Sequence, residues 1–267
     1  TRSSSDLLTI KKYLDLGNIV VVAGFQGITK EGDITTLGRG GSDTSAVAIS
    51  VALDAKECQI FTDVDGVYTT DPRITPKARK LEKISYEEML EMASVGAKVL
   101  QTRSVELAMK QKVRVQVRAS YNDGPGTLVV DEDEIVEQEL VSGIAYSRDE
   151  AKITLVAVPD QPGSAAAIFG PLADNGINVD MIVQNISQDN HATDMTFTLP
   201  IADLGRAFAT LEGNRDVLQY RELRSDKDVT KLSVIGVGMR SHAGVAQRMF
   251  TALADKGINI QVISTSE

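Results

Sequence analysis

The chain has 267 residues, of which 42% are hydrophobic and 24% charged, a composition typical of a folded globular protein. Its formal net charge of −9 leaves no surplus of lysine and arginine for binding phosphates, so we expect no nucleic-acid partner. No apolar run approaches the ~18–20 residues of a membrane-spanning helix, and the only cysteine, Cys58, excludes a disulfide framework and favours a cytoplasmic protein.

The first half of the chain alternates the patterns of strands and helices. A continuous apolar run at residues 17–27 predicts a central strand covered on both faces. Residues 43–53 have helical spacing, with Ser42 or Asp43 suited to the N-cap. Two strands are then predicted at residues 58–62 and 113–117, and two helices at residues 85–93 and 98–110. The helix at 85–93 begins with a capping-box pattern at Ser85. This order predicts an α/β domain with a largely parallel sheet.

The second half begins with an acidic run at residues 131–139, which indicates a solvated helix or a linker and marks a domain boundary. An internal repeat follows: residues 152–178 and 231–259 each read as a strand, a glycine turn, a helix and a Gly-Ile-Asn step into another strand. A spacing of ~80 residues predicts two copies of a small domain.

The first copy continues into the ferredoxin-like β-α-β-β-α-β order. Its later elements are predicted as a strand to residue 187, strands at 191–199 and 217–223, and a helix at 203–213. The second copy stops after its first β-α-β, so we expect it to be incomplete.

The run Arg39-Gly40-Gly41-Ser42-Asp43 is the strongest local signal for chemistry. Two adjacent glycines let the backbone approach a ligand closely, and the helix behind them offers free N–H groups and a positive dipole end to an anion. Arg39 adds a bidentate donor for a carboxylate or a phosphate. The pattern predicts a site for an anionic substrate, although a plain tight turn before a capped helix fits these five residues equally well.

A second candidate segment, residues 62–73, follows the predicted strand at 58–62. Open α/β sheets bind ligands at the carboxyl ends of their strands. Tyr68 is suited to stacking on a base and Arg73 to reaching a phosphate, while Asp63 and Asp65 are suited to a ribose hydroxyl or a metal ion. A structural turn is the alternative reading of this segment.

Three further residues are weaker candidates. Lys98 lies near a predicted helix start, where a cation opposes the dipole, and this hints at a ligand phosphate, although a solvated surface lysine is the simpler interpretation. His191 and His242 have no serine or cysteine nucleophile at a recognisable spacing. The sequence therefore gives no support to a hydrolase triad.

Three segments resemble the aspartate kinase family, which has the amino-acid kinase fold: VVAGFQGITKEGDITTLGRGGSDTSA, FTDVDGVYTTDPR and GAKVLQTRSVE. The repeat behind them resembles the family's paired ACT domains. The resemblance implies the C-terminal part of an open parallel-sheet kinase domain, followed by two ferredoxin-like ACT domains of which the second is partial. The implied limits are 1–135 for the kinase part and 136–150 for a linker with a possible extra strand of the second ACT domain. The first ACT domain would cover residues 151–228, and the second, partial one residues 229–267.

The same resemblance implies a reaction. ATP would phosphorylate the side-chain carboxylate of L-aspartate to 4-phospho-L-aspartate, the first step toward lysine, threonine and methionine. Arg39, Gly40, Gly41 and Ser42 would bind aspartate, with Arg39 and Asp43 acting at the reacting groups. The residues implied to bind ATP are Thr62, Asp63, Tyr68, Arg73, Lys98 and Val99. Mg²⁺ would accompany ATP, with no metal site built from protein side chains alone.

The ACT pair implies feedback inhibition by lysine, threonine or both, and a homo- or hetero-oligomer formed through the ACT domains. The residues implied to bind the effector are Asp160, Gly163, Ala165, Asn178, Val179, Asp180, Gln184, Ala246, Asn259 and Ile260. On the residues alone, the Gly-Ile-Asn steps also read as plain turns from a helix into a strand.

The chain departs from the family pattern at its N-terminal side, because the Lys-Phe-Gly-Gly phosphate motif and the glutamate that helps to hold aspartate are missing. We therefore expect a partial chain. The alternative function is a regulatory fragment that binds the effector amino acid without catalysis. A different amino-acid kinase, for glutamate or acetylglutamate, is a third possibility, against which the tandem repeat and the TDVDGVYTTDPR segment argue.

Overall fold

The computed structural model describes residues 4–97, 99–135, 140–186, 192–236 and 244–265. The chain divides into two compact units, one made of residues 1–146 and 233–246 and the other of residues 147–232 and 247–267. Within the described ranges, no helix is both long enough and apolar enough to cross a membrane.

Helices and strands alternate through the first unit, as the sequence predicts. Its helices are α1 (Ser4–Asp15), α2 (Gly41–Ala52), α3 (Tyr86–Ser94) and α4 (Thr102–Gln111). Its strands are β1 (Gln26–Ile28), β2 (Ile34–Thr36), β3 (Cys58–Thr62), β4 (Lys83–Ser85), β5 (Val115–Ala119) and β6 (Thr127–Val130), and β7 (Gly143–Ser147) reaches its boundary. The predicted α/β class is confirmed.

The main sheet of the first unit has the strand order β3-β5-β6-β4. β3 pairs with β5 and β4 with β6 in parallel, whereas β5 and β6 are antiparallel. The sheet is therefore mixed rather than largely parallel. The reason is the connection at residues 120–126, which is too short for the crossover of a dozen or more residues that parallel neighbours need. Buried side chains from the sheet and the helices form one core, including Val47, Ile84, Met89 and Val117.

The central strand predicted at residues 17–27 is wrong. Residues 18–24 have no regular structure, and Ile19 and Val21 are 93% and 90% exposed. Among the described residues no strand lies beside this segment to accept its backbone hydrogen bonds, and an apolar run becomes a central strand only between neighbours. Only β1 forms from this region, in a hairpin with β2.

The helix starts differ in how closely they follow the prediction. The capping box at Ser85 is confirmed: its hydroxyl accepts from the Glu88 N–H at 3.1 Å, and the Glu88 carboxylate accepts from the Ser85 N–H at 3.3 Å. α2 begins at Gly41 behind an N-cap at Gly40, so Ser42 and Asp43 lie inside the helix instead of capping it. α4 begins at Thr102, four residues later than predicted, and Lys98 lies outside the described residues.

The second unit has the predicted β-α-β-β-α-β order. Its elements are β8 (Ala151–Pro159), α5 (Ser164–Asp174), β9 (Ile182–Ile186), β10 (Ala192–Leu199), α6 (Leu204–Gly213), a short α7 (Arg215–Leu218) and β11 (Glu222–Asp226). The sheet order is β11-β8-β10-β9, and each neighbouring pair is antiparallel. Ile153, Leu155, Ile168, Phe197 and Leu211 lie in its core.

The last strand of this module begins at Glu222, five residues after the start of the predicted range of 217–223. Residues 215–218 form a helical turn instead, which ends where Gln219 takes a positive φ of 52°. The predicted limits at 187 and 191, and both histidines, His191 and His242, fall outside the described residues.

The second copy of the repeat contributes β12 (Lys231–Ile235) and α8 (Val245–Ala254). β12 pairs with β7 in a two-stranded sheet. The strand predicted after the second Gly-Ile-Asn is wrong, because residues 258–265 have no regular structure and pair with no described strand. In the acidic run, residues 132–134 form one 3₁₀ turn, and residues 136–139 lie outside the described ranges. The domain limits remain predictions.

Candidate functional site

The glycine loop, residues 37–43, leads into α2 and is the most constrained part of the candidate site. Gly40 has a φ of 70°, and a Cβ built on it would lie 1.6 Å from Cγ of Gln101. A Cβ on Gly41 would lie 2.6 Å from Cβ of Leu37. Both positions therefore require glycine, Gly40 for its conformation and both for space.

The N-terminal ends of two helices meet at this loop. Gln101 is the N-cap of α4, and its backbone N–H lies near the Asp43 carboxylate at the start of α2, where it acts to lower the pKa of that carboxyl. Nη2 of Arg103 donates to the carbonyl oxygen of Leu37 at 2.7 Å. Helix N-termini offer free N–H groups and partial positive charge, so this arrangement suits an anionic ligand. Our sequence analysis missed Gln101 and Arg103, although both lie in the segment GAKVLQTRSVE.

The two charged side chains of the loop differ in burial: Asp43 is partly buried, whereas Arg39 is exposed. Burial raises the pKa of the Asp43 carboxyl, although hydrogen bonds from the Gln101 N–H and the Ser42 hydroxyl act against the shift. Burial also raises the pKa of the Cys58 thiol; a hydrogen bond with Ser50 lowers it, and the charge of Asp43 raises it again. Arg39 is exposed and has no ion-pair partner within the described part of the chain. The loop thus presents an available cation beside a half-buried acid.

The first two residues of the predicted nucleotide set lie at the carboxyl end of β3. The Thr62 hydroxyl donates to the Asp63 carboxylate at 3.1 Å. Ser120, which follows β5, donates from its N–H and its hydroxyl to the Thr62 carbonyl at 2.9 and 3.0 Å. Because β3 and β5 are parallel, both of their carboxyl ends open on one edge of the sheet, where α/β folds bind ligands.

Tyr68 belongs to a hairpin-like segment, residues 66–82, next to this edge. Its hydroxyl donates to Asp65 at 2.9 Å, and Lys80 also reaches Asp65 at 3.3 Å. Burial raises the pKa of Asp65, but the hydrogen bonds from Tyr68 and Lys80, the charge of Lys80 and a backbone hydrogen bond together outweigh burial, so the pKa lies below its usual value. Asp65 therefore holds the segment together, which supports the structural alternative for this residue. Thr127 fixes the same segment from β6, accepting from the Val67 N–H at 2.8 Å.

Arg73 and Val99 complete the described part of the nucleotide set. Arg73 is 87% exposed and bonds Asp71 through its guanidinium at 2.8 Å. This hydrogen bond raises the pKa of Arg73, and the charge of Asp63 contributes to the same shift. Tyr68 and Arg73 thus follow the carboxyl end of β3 in the chain, and the charge of Asp63 acts on Arg73. Val99 lies in the turn before α4, two residues from Gln101.

The strand β7 also contacts residues 66–82, which are called the nucleotide segment below because they include the predicted nucleotide residues Tyr68 and Arg73. The Ile144 N–H donates to the Thr69 carbonyl at 2.7 Å, directly beside Tyr68. A Cβ built on Gly143 would lie 3.0 Å from Sδ of Met92, so the strand packs closely on α3. Since β7 also pairs with β12, one strand joins the nucleotide segment to the second copy of the repeat.

The implied effector residues of the second unit form two groups. Asp160, Gly163 and Ala165 lie where β8 ends and α5 begins, with Gly163 at a φ of 97° as the N-cap. Asn178, Val179 and Asp180 lie near the other end of β8, since the Asp180 N–H donates to Thr198, which is opposite Lys152. Asn259 and Ile260 are at that end too, because the neighbouring Gln261 accepts from Lys152.

The structure does not bring these effector residues into one cluster within the unit. The two ends of β8 are roughly 25 Å apart, at ~3.3 Å of rise per residue over eight residues. Gln184 lies in the middle of β9, opposite Met195, and Ala246 lies at the start of α8, in the first unit. The described residues contain no group of three or more His, Cys, Asp or Glu side chains placed to hold a metal ion.

Comparison with known proteins agrees with this division of the chain. Residues 1–119 match the model of the amino acid kinase family, and residues 152–215 and 232–267 match models of the ACT domain. The expected fold class, a kinase segment followed by two ACT domains, is confirmed. The aspartate kinase of Pseudomonas putida is 58% identical over 259 residues, which are 97% of this chain and 63% of that protein.

Two solved structures of Escherichia coli aspartokinase III, each 30% identical, are similar in fold. The complex with aspartate and ADP gives a TM-score of 0.78 over 98% of this chain and 58% of that chain. The complex with lysine and aspartate gives a TM-score of 0.75 over 97% of this chain and 56% of that chain. The chain thus spans less than two thirds of the length of these relatives. Over nearly all of its length the chain is similar to aspartate kinases, with one segment of the amino acid kinase family and two of the ACT domain.

Proposed function

We propose that this chain carries the aspartate-binding loop and part of the nucleotide site of an aspartate kinase. The reaction would transfer the γ-phosphate of ATP to the side-chain carboxylate of L-aspartate, giving 4-phospho-L-aspartate for lysine, threonine and methionine synthesis. The observation that carries the proposal is the glycine loop, where exposed Arg39 and half-buried Asp43 flank the start of α2. The relative whose structure contains aspartate and ADP supports the choice of substrates.

Each group in the loop has a part in this reaction. The Arg39 guanidinium pairs with a carboxylate of aspartate, and the first N–H groups of α2 with Ser42 fix its orientation. Thr62, Asp63, Tyr68, Arg73, Lys98 and Val99 contact the nucleotide. Phosphoryl transfer depends on positioning and charge neutralisation more than on covalent catalysis. Mg²⁺ bound with ATP would neutralise charge on the phosphates; since the described residues hold no group of three or more His, Cys, Asp or Glu side chains placed around a metal ion, the phosphates and water would supply most of its ligands.

Replacing Arg39 by alanine tests the role of the loop. Arg39→Ala removes a charge-assisted hydrogen bond, which is worth roughly 1.5–3 kcal/mol, so we expect the Kd for L-aspartate to rise at least about tenfold. The Kd for Mg-ATP should stay within about twofold. Calorimetric titration with each ligand measures both values, and Arg114→Ala, at the exposed ion pair with Glu134, serves as the control. Equal losses for both ligands would contradict the role given to Arg39.

We also propose that lysine, threonine or both regulate the enzyme by binding the ACT pair, in an oligomer formed through these domains in the cytoplasm. The relative crystallised with lysine and aspartate supports this proposal. An effector shifts a conformational equilibrium only by its differential affinity for the two states. β7 is the strand through which we expect the shift to reach the nucleotide segment, by way of Ile144 and Thr69.

Gln184 provides the test of the effector site. Its side chain is exposed on β9, so Gln184→Ala should leave the fold intact and raise the Kd for lysine or threonine about tenfold, the cost of one or two hydrogen bonds. Mg-ATP binding should not change. Thermal unfolding checks the fold, and calorimetry measures the effector. An unaltered effector affinity would remove Gln184 from the site.

A regulatory fragment without catalysis is the second candidate. The observation in its favour is that the second unit has a complete β-α-β-β-α-β module with its own core, whereas Ile19 and Val21 of the first unit are exposed. Titrating the chain with lysine, threonine, aspartate and Mg-ATP in turn separates the two functions. Binding of lysine or threonine without binding of aspartate and Mg-ATP would support the regulatory fragment, and binding of aspartate and Mg-ATP would support the kinase function.

A further inference from the structure

The start of α4 contacts the glycine loop at its entry and its middle. Gln101 and Arg103 lie 58 or more residues beyond the loop in the chain, yet Arg103 bonds Leu37 at the entry and the Gln101 side chain covers Gly40 in the middle, with the Gln101 N–H near Asp43 at the exit. We propose that Arg103 and Gln101 are positioning residues that hold the loop in the shape that binds the aspartate substrate. This inference rests on the proposed function for its ligand but not for its geometry.

The entry of the loop is fixed at both polar groups of Leu37. Its N–H donates to the Phe25 carbonyl at 2.9 Å, and its carbonyl accepts from Arg103 at 2.7 Å. The chain then turns tightly, with Gly38 at a φ of 77° and the Gly41 N–H donating to the Gly38 carbonyl at 3.0 Å. Without Arg103, the Leu37 carbonyl would bond only water, and Leu37, which precedes the turn, would lose one of its two hydrogen bonds within the protein.

The middle of the loop is fixed by Gln101. Its side chain lies across Gly40, where it leaves no room for a Cβ, and its backbone N–H lies near the Asp43 carboxylate at the exit and acts to lower the pKa of that carboxyl. Arg39 projects from the same turn and makes no ion pair with the described residues. The helix therefore restrains the backbone on either side of Arg39 while its guanidinium stays available for a ligand. Such preorganisation lowers the entropic cost of binding.

The experiment combines hydrogen exchange with ligand titration of the whole chain. In Arg103→Gln, we expect the amides of Leu37 and Gly41 to exchange at least about five times faster, and the Kd for L-aspartate to rise about tenfold. The loss of a hydrogen bond from a charged donor is of this size. The Kd for Mg-ATP should stay within about twofold, because the described hydrogen bond of Arg103 goes to Leu37 and not to residues 66–82. Arg103→Lys keeps a cationic donor and should recover most of the aspartate affinity.

Arg114→Gln is the matched control, since this arginine is also partly exposed in the first unit but pairs with Glu134. Unchanged exchange at Leu37 and Gly41 in Arg103→Gln would overturn the positioning role, and so would equal losses for aspartate and Mg-ATP. If the unaltered chain binds no aspartate, the proposed function fails. The exchange measurement then still decides whether Arg103 orders the loop.

Discussion

Gly40→Ala is expected to abolish measurable aspartate binding and to lower the free energy of unfolding by about 3 kcal/mol. Two costs add at this position. A non-glycine residue at a φ of 70° costs about 1–2 kcal/mol, and overpacking costs about 1–3 kcal/mol more, because the new Cβ would overlap Cγ and Cβ of Gln101 at 1.6 and 2.8 Å. Relief of the clash must move the start of α4 away from the loop that carries Arg39.

Gly17→Ala separates the two costs. Gly17 has a similar φ of 78°, but nothing lies within 4 Å of a Cβ built on it. We therefore expect Gly17→Ala to cost only about 1 kcal/mol in urea unfolding, with aspartate binding unchanged. Adding Gln101→Ala to Gly40→Ala should recover part of the lost stability, because Cγ and Cδ disappear while Cβ remains. Equal losses of stability in Gly17→Ala and Gly40→Ala would contradict the packing that we describe around Gly40.

The elements that could be predicted from the sequence depend on local interactions. β3 has the predicted limits, Cys58–Thr62, and the capping box between Ser85 and Glu88 forms as expected, because its partners are three residues apart. The complete ferredoxin-like order in the second unit was also predictable, since each of its turns carries its own glycine or polar signal.

The features that escaped prediction depend on residues distant in the chain. The apolar run at residues 18–24 matches a central strand, but its state depends on neighbours that its own sequence does not specify. The contact of Arg103 with Leu37 joins residues 66 positions apart. Nothing in the local pattern distinguishes Arg103 from a solvated helix arginine. The same holds for the effector residues, whose separation at the two ends of β8 follows only from strand register.

Asp43→Asn is expected to make the chain more stable at neutral pH and at least about 100-fold slower in phosphoryl transfer. Burial raises the pKa of Asp43 in the folded chain above its usual value of 3.8. Between 3.8 and this raised pKa, the folded chain therefore binds more protons than the unfolded chain. Stability therefore falls as the pH rises through this interval, and the cost remains at pH 7. Asparagine removes this cost and keeps an oxygen toward the Gln101 N–H, but it lacks the charge that we propose to act near the reacting groups, a loss typically worth ~10²-fold or more in rate.

The pH dependence tests this account without any assay of activity. In denaturant unfolding, the gain from Asp43→Asn should be present at pH 7 and disappear below about pH 3.8, where the carboxyl is protonated in both states. Asp71 is a control of opposite sign, because the hydrogen bond from Arg73 lowers its pKa. Asp71→Asn should therefore reduce stability at pH 7 slightly, and this loss should vanish in acid.

If Asp43→Asn were instead less stable than the unaltered chain at neutral pH, the charge of Asp43 would stabilise the folded loop, and burial would not be the dominant influence on Asp43. Conversely, a more stable but inactive variant would mean that the loop keeps a costly carboxylate at the start of α2 for the sake of the reaction.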